Sequence, residues 1–245
     1  MVALLMSYPR SGNHMVRAFL EAASGQPTLG CRGNSLDTPI RDRFSAEKIT
    51  PFEKSSEQPI AQKIHWISEE LSLRRDGYLT ERLCLVVRDP AKCVVSQLIR
   101  STNDLRGIRR WKKVRKLRKP ERMSGIVISE LENWYVLIDH YLASDLPKLV
   151  IGFEDLLSQN GLSIVNDQLL PFFGARGRFD DVKRMMTVAE FGRESQLSDT
   201  KSIPDAVYES NQLASEIVRS AVDYEEIRGK LGLPHTDSIV PLHVD

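Results

Sequence analysis

The sequence predicts an α/β fold of three layers, in which helices cover both faces of a central, mainly parallel sheet. Short apolar runs at 2–6, 83–87 and 148–153 have the length and composition of buried strands. Segments with apolar residues at helical spacing separate these runs. Buried strands that alternate with helices favour parallel pairing, because neighbouring parallel strands need a crossover connection. A single domain over 1–245 is the simplest organisation, since no linker or internal repeat interrupts the pattern.

The first elements follow one another in a regular order. The strand at 2–6 leads into a helix over 15–23, which has apolar residues on one face. The stretch 24–57 is rich in Gly, Pro, Ser and charge, and we expect it to be a long loop over the active face. A short strand at 60–65 and the strongly apolar strand at 83–87 follow it.

The second half of the chain is predominantly helical. Pro90 opens a helix directly after a strand, where the missing N–H of proline costs nothing in a first turn. A long amphipathic helix is predicted over 126–142, before the last of the three apolar runs. From Gly161 onward the pattern is helical, with turns near 174–177 and a looser segment at 195–204.

Composition excludes several classes of protein. The chain has 245 residues with 34 basic and 33 acidic side chains, so its net charge of +1 indicates no particular partner. Cys31, Cys84 and Cys93 form no C-x-x-C pair, which argues against a disulfide framework and a zinc site. No apolar run approaches the roughly 20 residues that span a bilayer, and the N-terminal run is too short for a signal peptide. We therefore expect a cytoplasmic protein without a metal centre.

The segment 6–14, Met-Ser-Tyr-Pro-Arg-Ser-Gly-Asn-His, joins the first strand to the first helix. The first N–H groups of a helix have no partner within it, and the helix dipole adds partial positive charge there, so a phosphate or sulfate fits. Gly12 permits close approach of the backbone, and Arg10 supplies a forked cationic donor. The segment does not match the Walker pattern, which disfavours an ordinary nucleoside triphosphatase. A plain strand-to-helix turn is the alternative.

A second strand-to-helix junction lies at 85–96. Arg88 leaves the carboxyl end of its strand, and Ser96 lies about two turns into the following helix. Both side chains could reach one anion beside the edge of the sheet. On these residues alone, the alternative is an ion pair between Arg88 and a carboxylate such as Asp89, with Ser96 an ordinary helix residue.

The two junctions together resemble the cofactor motifs of sulfotransferases that use 3′-phosphoadenosine-5′-phosphosulfate (PAPS). Residues 8–13, Tyr-Pro-Arg-Ser-Gly-Asn, resemble the 5′-phosphosulfate loop Y-P-[KR]-S-G-[TN]. The run Arg88-Asp89-Pro90, with Ser96 after it, resembles the 3′-phosphate motif R-D-P-x-x-x-x-x-S. Trp134 and the segment 152–157 resemble a later helix of the family and its Y-E-D-L segment. The matches occur in the family's order over the first two thirds of the chain.

The resemblance implies a P-loop-like sulfotransferase fold and transfer of a sulfuryl group from PAPS to an acceptor hydroxyl. It implies that Arg10 and the backbone of 11–14 hold the 5′-phosphosulfate, while Arg88 and Ser96 hold the 3′-phosphate. The predicted cofactor-binding residues are therefore Arg10, Ser11, Gly12, Asn13, His14, Arg88 and Ser96. By analogy with phosphoryl transfer, positioned positive charge stabilises the bridging oxygen, and no metal is required.

The catalytic residues implied by the resemblance are His65, Lys63 and Arg10. Residues 62–66, Gln-Lys-Ile-His-Trp, resemble the family's K-x-H segment, in which the His accepts the proton of the acceptor and the Lys helps to neutralise the transferring group. A neutral imidazole suits the role of a base. A structural His beside Trp66, with Lys63 at the surface, is the alternative.

Three features depart from the family pattern or leave its roles open. Some branches of the family use a carboxylate base, for which Asp37 or Asp42 in the long loop is available. Met15 stands where many cytosolic members have a Trp that stacks on adenine. The late R-K-G-x-x-G motif that completes their 3′-phosphate site is absent, and Arg193, Lys201 or a basic run are candidate replacements.

The basic run is the segment 106–122, which holds ten Lys or Arg residues against one acid, Glu121. A solvated helix face is the ordinary interpretation of such a segment. The functional alternative is a site for an anionic acceptor, such as an acidic glycan, or for an anionic membrane that presents a lipid acceptor. Nucleic acid is not expected, because Trp111 is the one aromatic residue in the run.

We therefore predict sulfate transfer from PAPS to a hydroxyl group of a small molecule or glycan, with a carbohydrate or glycolipid favoured. One alternative is an ATP-dependent small-molecule kinase of the P-loop type, which would share the architecture and use Mg²⁺. The other is a non-catalytic module that holds a polyanion through the basic run.

Overall fold

The computed structural model has the predicted α/β fold. It describes residues 2–29, 59–103, 119–197 and 205–242, with a few positions between 109 and 117. The described strands are β1 (Val2–Ser7), β2 (Thr28–Leu29), β3 (Ala61–Ile64), β4 (Thr80–Val87) and β5 (Lys148–Gly152). They form one sheet in the order β2-β3-β1-β4-β5, and every pairing is parallel. The predicted strands at 2–6, 60–65, 83–87 and 148–153 are confirmed to within a few residues.

The helices cover both faces of this sheet, which confirms the three-layer arrangement. In chain order, they are α1 (Asn13–Ser24), α2 (Ile67–Arg75), α3 (Pro90–Asn103), α4 (Pro120–Ala143), α5 (Phe153–Leu156), α6 (Gly161–Ser163), a π-helical stretch (Ile164–Leu169), α7 (Leu170–Phe173), α8 (Val182–Leu197), α9 (Asp205–Ala221) and α10 (Tyr224–Lys230). None of these described helices has a stretch both long and apolar enough to cross a bilayer.

Alternate side chains of the central strand β1 face two separate cores. Ala3 and Leu5 pack with α1, α5, α7 and α8, whereas Leu4 and Met6 pack with α3, α4, α9 and α10. Both faces of β1 are therefore buried, and its sequence is continuously apolar rather than alternating. Because β1 lies between β3 and β4, the loop that follows it opens at the middle of the sheet edge.

Two short elements were not predicted because polar contacts hold them. Thr28 of β2 donates its backbone N–H to Glu21 (3.0 Å), and Arg17 Nε donates to the Thr28 hydroxyl (2.7 Å). In α2 the buried residue is Glu70, which accepts hydrogen bonds from Arg74 and lies 2.7 Å from His140. Neither element has the apolar periodicity from which sequence-based assignment starts.

The remaining helical predictions agree with the structure. The helix predicted over 126–142 is α4, which begins earlier because Pro120 occupies its first turn. The turn predicted near 174–177 begins at Gly174, whose φ of +73° ends α7. Part of the looser segment at 195–204 belongs to α8, and residues 198–204 lie outside the described residues.

A buried ion pair holds the C-terminal helices against the end of β5. Arg228 of α10 is fully buried, and its Nη2 lies 2.9 Å from both carboxylate oxygens of Asp155. Its Nε donates to the carbonyl oxygen of Pro234 at 2.7 Å. Since Asp155 follows β5 directly, this pair brings α9 and α10 close to the carboxyl edge of the sheet.

Candidate functional site

The loop between β1 and α1 has a backbone that suits an anion. Arg10 has φ of +71° and Gly12 has φ of +90°, so both residues have a left-handed backbone conformation. Left-handed residues within a turn can direct successive N–H groups into one concavity, as in backbone anion-binding nests. A Cβ atom at Gly12 would overlap the ring of Phe153, so glycine is required by space as well as by conformation. The predicted strand-to-helix anion loop thus has an appropriate shape.

The two predicted phosphate motifs meet at this loop. Arg10 Nε donates to the hydroxyl of Ser96 at 3.0 Å. Arg88 Nη1 donates to the carbonyl oxygen of Arg10 at 2.8 Å, and its guanidinium lies over the Phe153 ring, 4.5 Å from the centroid. The fold therefore brings three of the predicted cofactor-binding side chains together, although Arg10 and Ser96 are 86 positions apart in the chain.

Buried polar atoms at the site that lack a hydrogen-bond partner among the described residues include Arg88 Nε and Asn13 Oδ1. A buried polar atom without a partner costs about 1–3 kcal/mol, so such atoms mark positions that favour a ligand or water. An unpaired guanidinium N–H beside an amide-lined loop favours an anionic ligand.

Asp89 does not form the alternative ion pair with Arg88 in the described part of the chain. Its carboxylate accepts the N–H of Ala91 at 2.8 Å and lies 4.0 Å from Lys92 Nζ. Asp89 therefore caps the start of α3. This leaves the Arg88 guanidinium directed toward the loop and toward Phe153.

His65 is held in a defined tautomer at the end of β3. Its Nδ1 lies 2.6 Å from the backbone carbonyl oxygen of Ser7, and a carbonyl can only accept a hydrogen bond. Nδ1 therefore carries the proton, and Nε2 is the ring nitrogen able to take one up. Glu69 accepts the backbone N–H groups of His65 (2.7 Å) and Trp66 (3.2 Å), which fixes the turn into α2.

Ser7 links the predicted base to the anion loop, and its role was not predicted. It is fully buried, and its hydroxyl accepts a hydrogen bond from Asn13 Nδ2 at 2.9 Å. Its carbonyl oxygen is the partner of His65. A lone serine at a strand end belongs to no motif, so only the contacts identify it.

The other predicted residues are distributed between the site and its surroundings. Lys63 is buried in β3, opposite Leu5 of β1 in the register, so it is not at the surface. His14 is half-buried in the first turn of α1. The Cys93 thiol is fully buried, and burial raises its pKa to about 12, so it remains protonated beside Ser11. It is therefore unsuited to act as a nucleophile.

Several candidates fall outside what the structure describes. Asp37, Asp42 and Lys201 lie outside the described residues, and for Arg193 only the backbone, in α8, is described. The basic run 106–122 is described in part. Its described cationic side chains are all exposed, and they are Arg109, Lys112, Arg115, Lys116, Lys119 and Arg122.

A cleft of about 710 Å³ opens beside Arg88. Its wall on the sheet side includes the segment from Arg88 to Lys92, with Phe153 and Glu154. The opposite wall comes from the C-terminal region and includes Arg219 and Tyr224. The sequence offers no signal for this cleft, because residues about 130 positions from Arg88 complete it.

A hydrogen bond joins the two walls of the cleft, and another supports the loop. The Tyr224 hydroxyl donates to Glu154 Oε2 at 3.2 Å, and burial raises the pKa of this phenol. On the far side of the loop, the Tyr8 hydroxyl donates to Glu130 of α4 at 2.6 Å. The loop and the cleft are thus supported from neighbouring helices on both sides.

No group of three or more His, Cys, Asp or Glu side chains within the described residues is arranged to hold a metal ion. No protein-family model matches the chain, and no curated protein matches it significantly. The likeness to PAPS-dependent sulfotransferases therefore rests on the motif residues of this sequence.

Proposed function

We propose that the protein is a PAPS-dependent sulfotransferase that transfers a sulfuryl group to an acceptor hydroxyl. The observation that carries this proposal is the meeting of Arg10, Arg88 and Ser96 at the loop that follows β1. A donor with a 5′-phosphosulfate and a 3′-phosphate needs cations for two anionic groups at one edge of the sheet. The two strand-to-helix junctions supply such cations side by side.

The residues present fit the donor chemically. Arg10 and the backbone N–H groups of residues 11–14 would hold the 5′-phosphosulfate, as expected at a helix N-terminus. Arg88, with its buried and unpartnered Nε, and the hydroxyl of Ser96 would hold the 3′-phosphate. Binding would replace the present bond from Arg10 to the neutral Ser96 hydroxyl by bonds to oxyanions, which are stronger because both partners are charged.

PAPS supplies the transferable sulfuryl group when it is bound. As the acceptor oxygen forms its bond to sulfur, the bond from sulfur to the bridging phosphate oxygen breaks, and that oxygen keeps the electron pair. His65 Nε2 accepts the proton of the acceptor hydroxyl, because Nδ1 is already committed to Ser7. Arg10, the loop N–H groups and Lys63 offset the negative charge that develops on the leaving oxygen.

The decisive test compares two ligands by thermal shift. We expect 3′,5′-adenosine bisphosphate to stabilise the protein by about 2.7 kcal/mol at a concentration one hundred times its Kd, since a ligand stabilises the state it binds. Mg-ATP at the same concentration should have little effect. A preference for Mg-ATP would contradict the proposal and support the small-molecule kinase instead.

Replacing His65 with asparagine is expected to lower kcat for sulfate transfer by about 10²- to 10⁴-fold, the usual contribution of a positioned base. Asparagine keeps an N–H donor for the Ser7 carbonyl but cannot take up the proton. Affinity for 3′,5′-adenosine bisphosphate should be unchanged. His235→Asn, at an exposed position, is the matched control. An unchanged kcat in His65→Asn would shift the role of base to Asp37 or Asp42.

We further propose that the acceptor is a carbohydrate or glycolipid and that the basic run contacts anionic groups around it. The exposure of its described cations supports such a contact, and the burial of Leu117 holds the run against the fold. We place the protein in the cytoplasm, in keeping with Cys84 and Cys93, which are buried and form no disulfide. Three further statements remain predictions. They are that residues 1–245 form a single domain, that transfer requires no metal ion, and that the protein does not bind nucleic acid.

A further inference from the structure

The acidic side chains of the cleft are engaged by internal donors. Asp89 caps α3, and Glu154 accepts from Tyr224 and lies 3.9 Å from Arg228 Nη1. Glu225 accepts the N–H of Thr236 at 3.0 Å and also its hydroxyl. Burial opposes the ionised form of Glu225, but these hydrogen bonds prevail and lower its pKa. All three carboxylates therefore already have donors, and Glu154 also joins the two walls through Tyr224 and Arg228.

The cationic side chains of the cleft are engaged to a smaller extent. Lys92 lies 4.0 Å from Asp89, at the limit of an ion pair. Arg88 retains a buried Nε without an acceptor among the described residues. Arg219, in the last turn of α9, is exposed, and no ion pair between described residues includes it. The carboxylates of the cleft already accept hydrogen bonds, whereas its arginines have N–H groups available to a ligand. Such a cleft favours an anionic ligand.

The wall that carries Arg219 is anchored rather than loose. The buried Arg228–Asp155 pair and the Tyr224–Glu154 hydrogen bond both lie just beyond the end of α9. The cleft also has the apolar surface that a nucleoside requires, from Phe153, Tyr224 and Val222. Its volume of about 710 Å³ lies within the usual range for sites that bind small ligands.

We propose that Arg219 and Arg88 together hold the 3′-phosphate of the nucleotide, with the nucleoside lying in the cleft between α3 and the C-terminal helices. This inference rests on the proposed function. It assigns to Arg219 the position left open by the missing C-terminal phosphate motif. The ligand class is an adenosine 3′,5′-bisphosphate, and the residue confers selectivity for the second phosphate.

Calorimetric titration of the full chain with 3′,5′-adenosine bisphosphate and with 5′-AMP tests this role. The wild type should bind the bisphosphate more tightly. Arg219→Ala should weaken the affinity for the bisphosphate by about tenfold or more, the usual size of a charge-assisted hydrogen bond, and leave the affinity for 5′-AMP unchanged. The affinity of Arg219→Lys for the bisphosphate should lie between those of the wild type and Arg219→Ala. Lys230→Ala is the control, because it removes the same charge from an exposed site on α10.

The outcomes separate this inference from the proposed function. The inference is wrong if the wild type prefers the bisphosphate to 5′-AMP and Arg219→Ala keeps that preference by the same factor. Arg219 would then have no part in binding the 3′-phosphate. Equal weakening of both ligands would also overturn it, since that result indicates a contact with the nucleoside or the 5′-phosphate. If the wild type binds neither nucleotide, the proposed function itself fails. Circular dichroism of each variant checks that the exposed substitution leaves the fold intact.

Discussion

Replacing Arg10 with glycine is expected to lower the rate of sulfate transfer by about a hundredfold or more, with little change in stability. The side chain is one of the donors aimed at the position where charge develops, and loss of one such donor costs about 10²- to 10³-fold in rate. Glycine adopts the φ of +71° at this position without the strain that other residues carry there. The backbone carbonyl that receives Arg88 is retained.

The measurement combines transfer of radiolabelled sulfate with urea unfolding. We expect the free energy of unfolding of Arg10→Gly to remain within about 1 kcal/mol of the wild type, because relief of backbone strain offsets the lost contact with Ser96. Lys230→Ala, which removes an exposed cation of α10 that pairs with Glu226, is the control. Wild-type turnover in Arg10→Gly would count decisively against the proposed mechanism.

Replacing Arg228 with methionine is expected to destabilise the protein by about 3–5 kcal/mol. Arg228 is fully buried, and its removal leaves the Asp155 carboxylate buried without the Nη2 donor that contacts both of its oxygens. Breaking a buried pair from one side costs this much because the remaining charge is neither hydrated nor paired. The carbonyl oxygen of Pro234 loses its donor as well.

Urea unfolding of the single and double variants measures this effect. In Arg228→Met with Asp155→Leu, much of the lost stability should return, since apolar residues often replace a buried ion pair without net cost. Lys230→Ala, which breaks the exposed pair with Glu226, should leave the unfolding midpoint essentially unchanged. A wild-type midpoint in Arg228→Met would show that the pair does not support the C-terminal helices.

The elements of the fold that sequence predicted are those with a local signal. The central strands are continuous apolar runs, and α4 has a long amphipathic period that begins near a proline. The elements β2 and α2 escaped prediction because Glu21 and Glu70 stabilise them through hydrogen bonds to other parts of the chain. Such contacts produce no apolar periodicity from which a helix or strand could be predicted.

The site divides in the same way. Residues 8–13 and the junction at Arg88 are contiguous motifs, so they can be identified from the sequence. The tautomer of His65 depends on the carbonyl of Ser7, 58 positions away. The second wall of the cleft includes Arg219 and Tyr224, which belong to no recognised sequence motif.

Local residue patterns were sufficient for the layered α/β fold and for the two strand-to-helix junctions, because strands, helices and anion loops follow from neighbouring residues. Tertiary contacts alone determined that Arg10 meets Ser96, that Arg88 supports the loop, and that the C-terminal helices close a cleft beside it. These contacts join residues roughly 80 to 130 positions apart. Their geometry depends on how the sheet orders its strands and how the helices pack on it, which no short segment encodes.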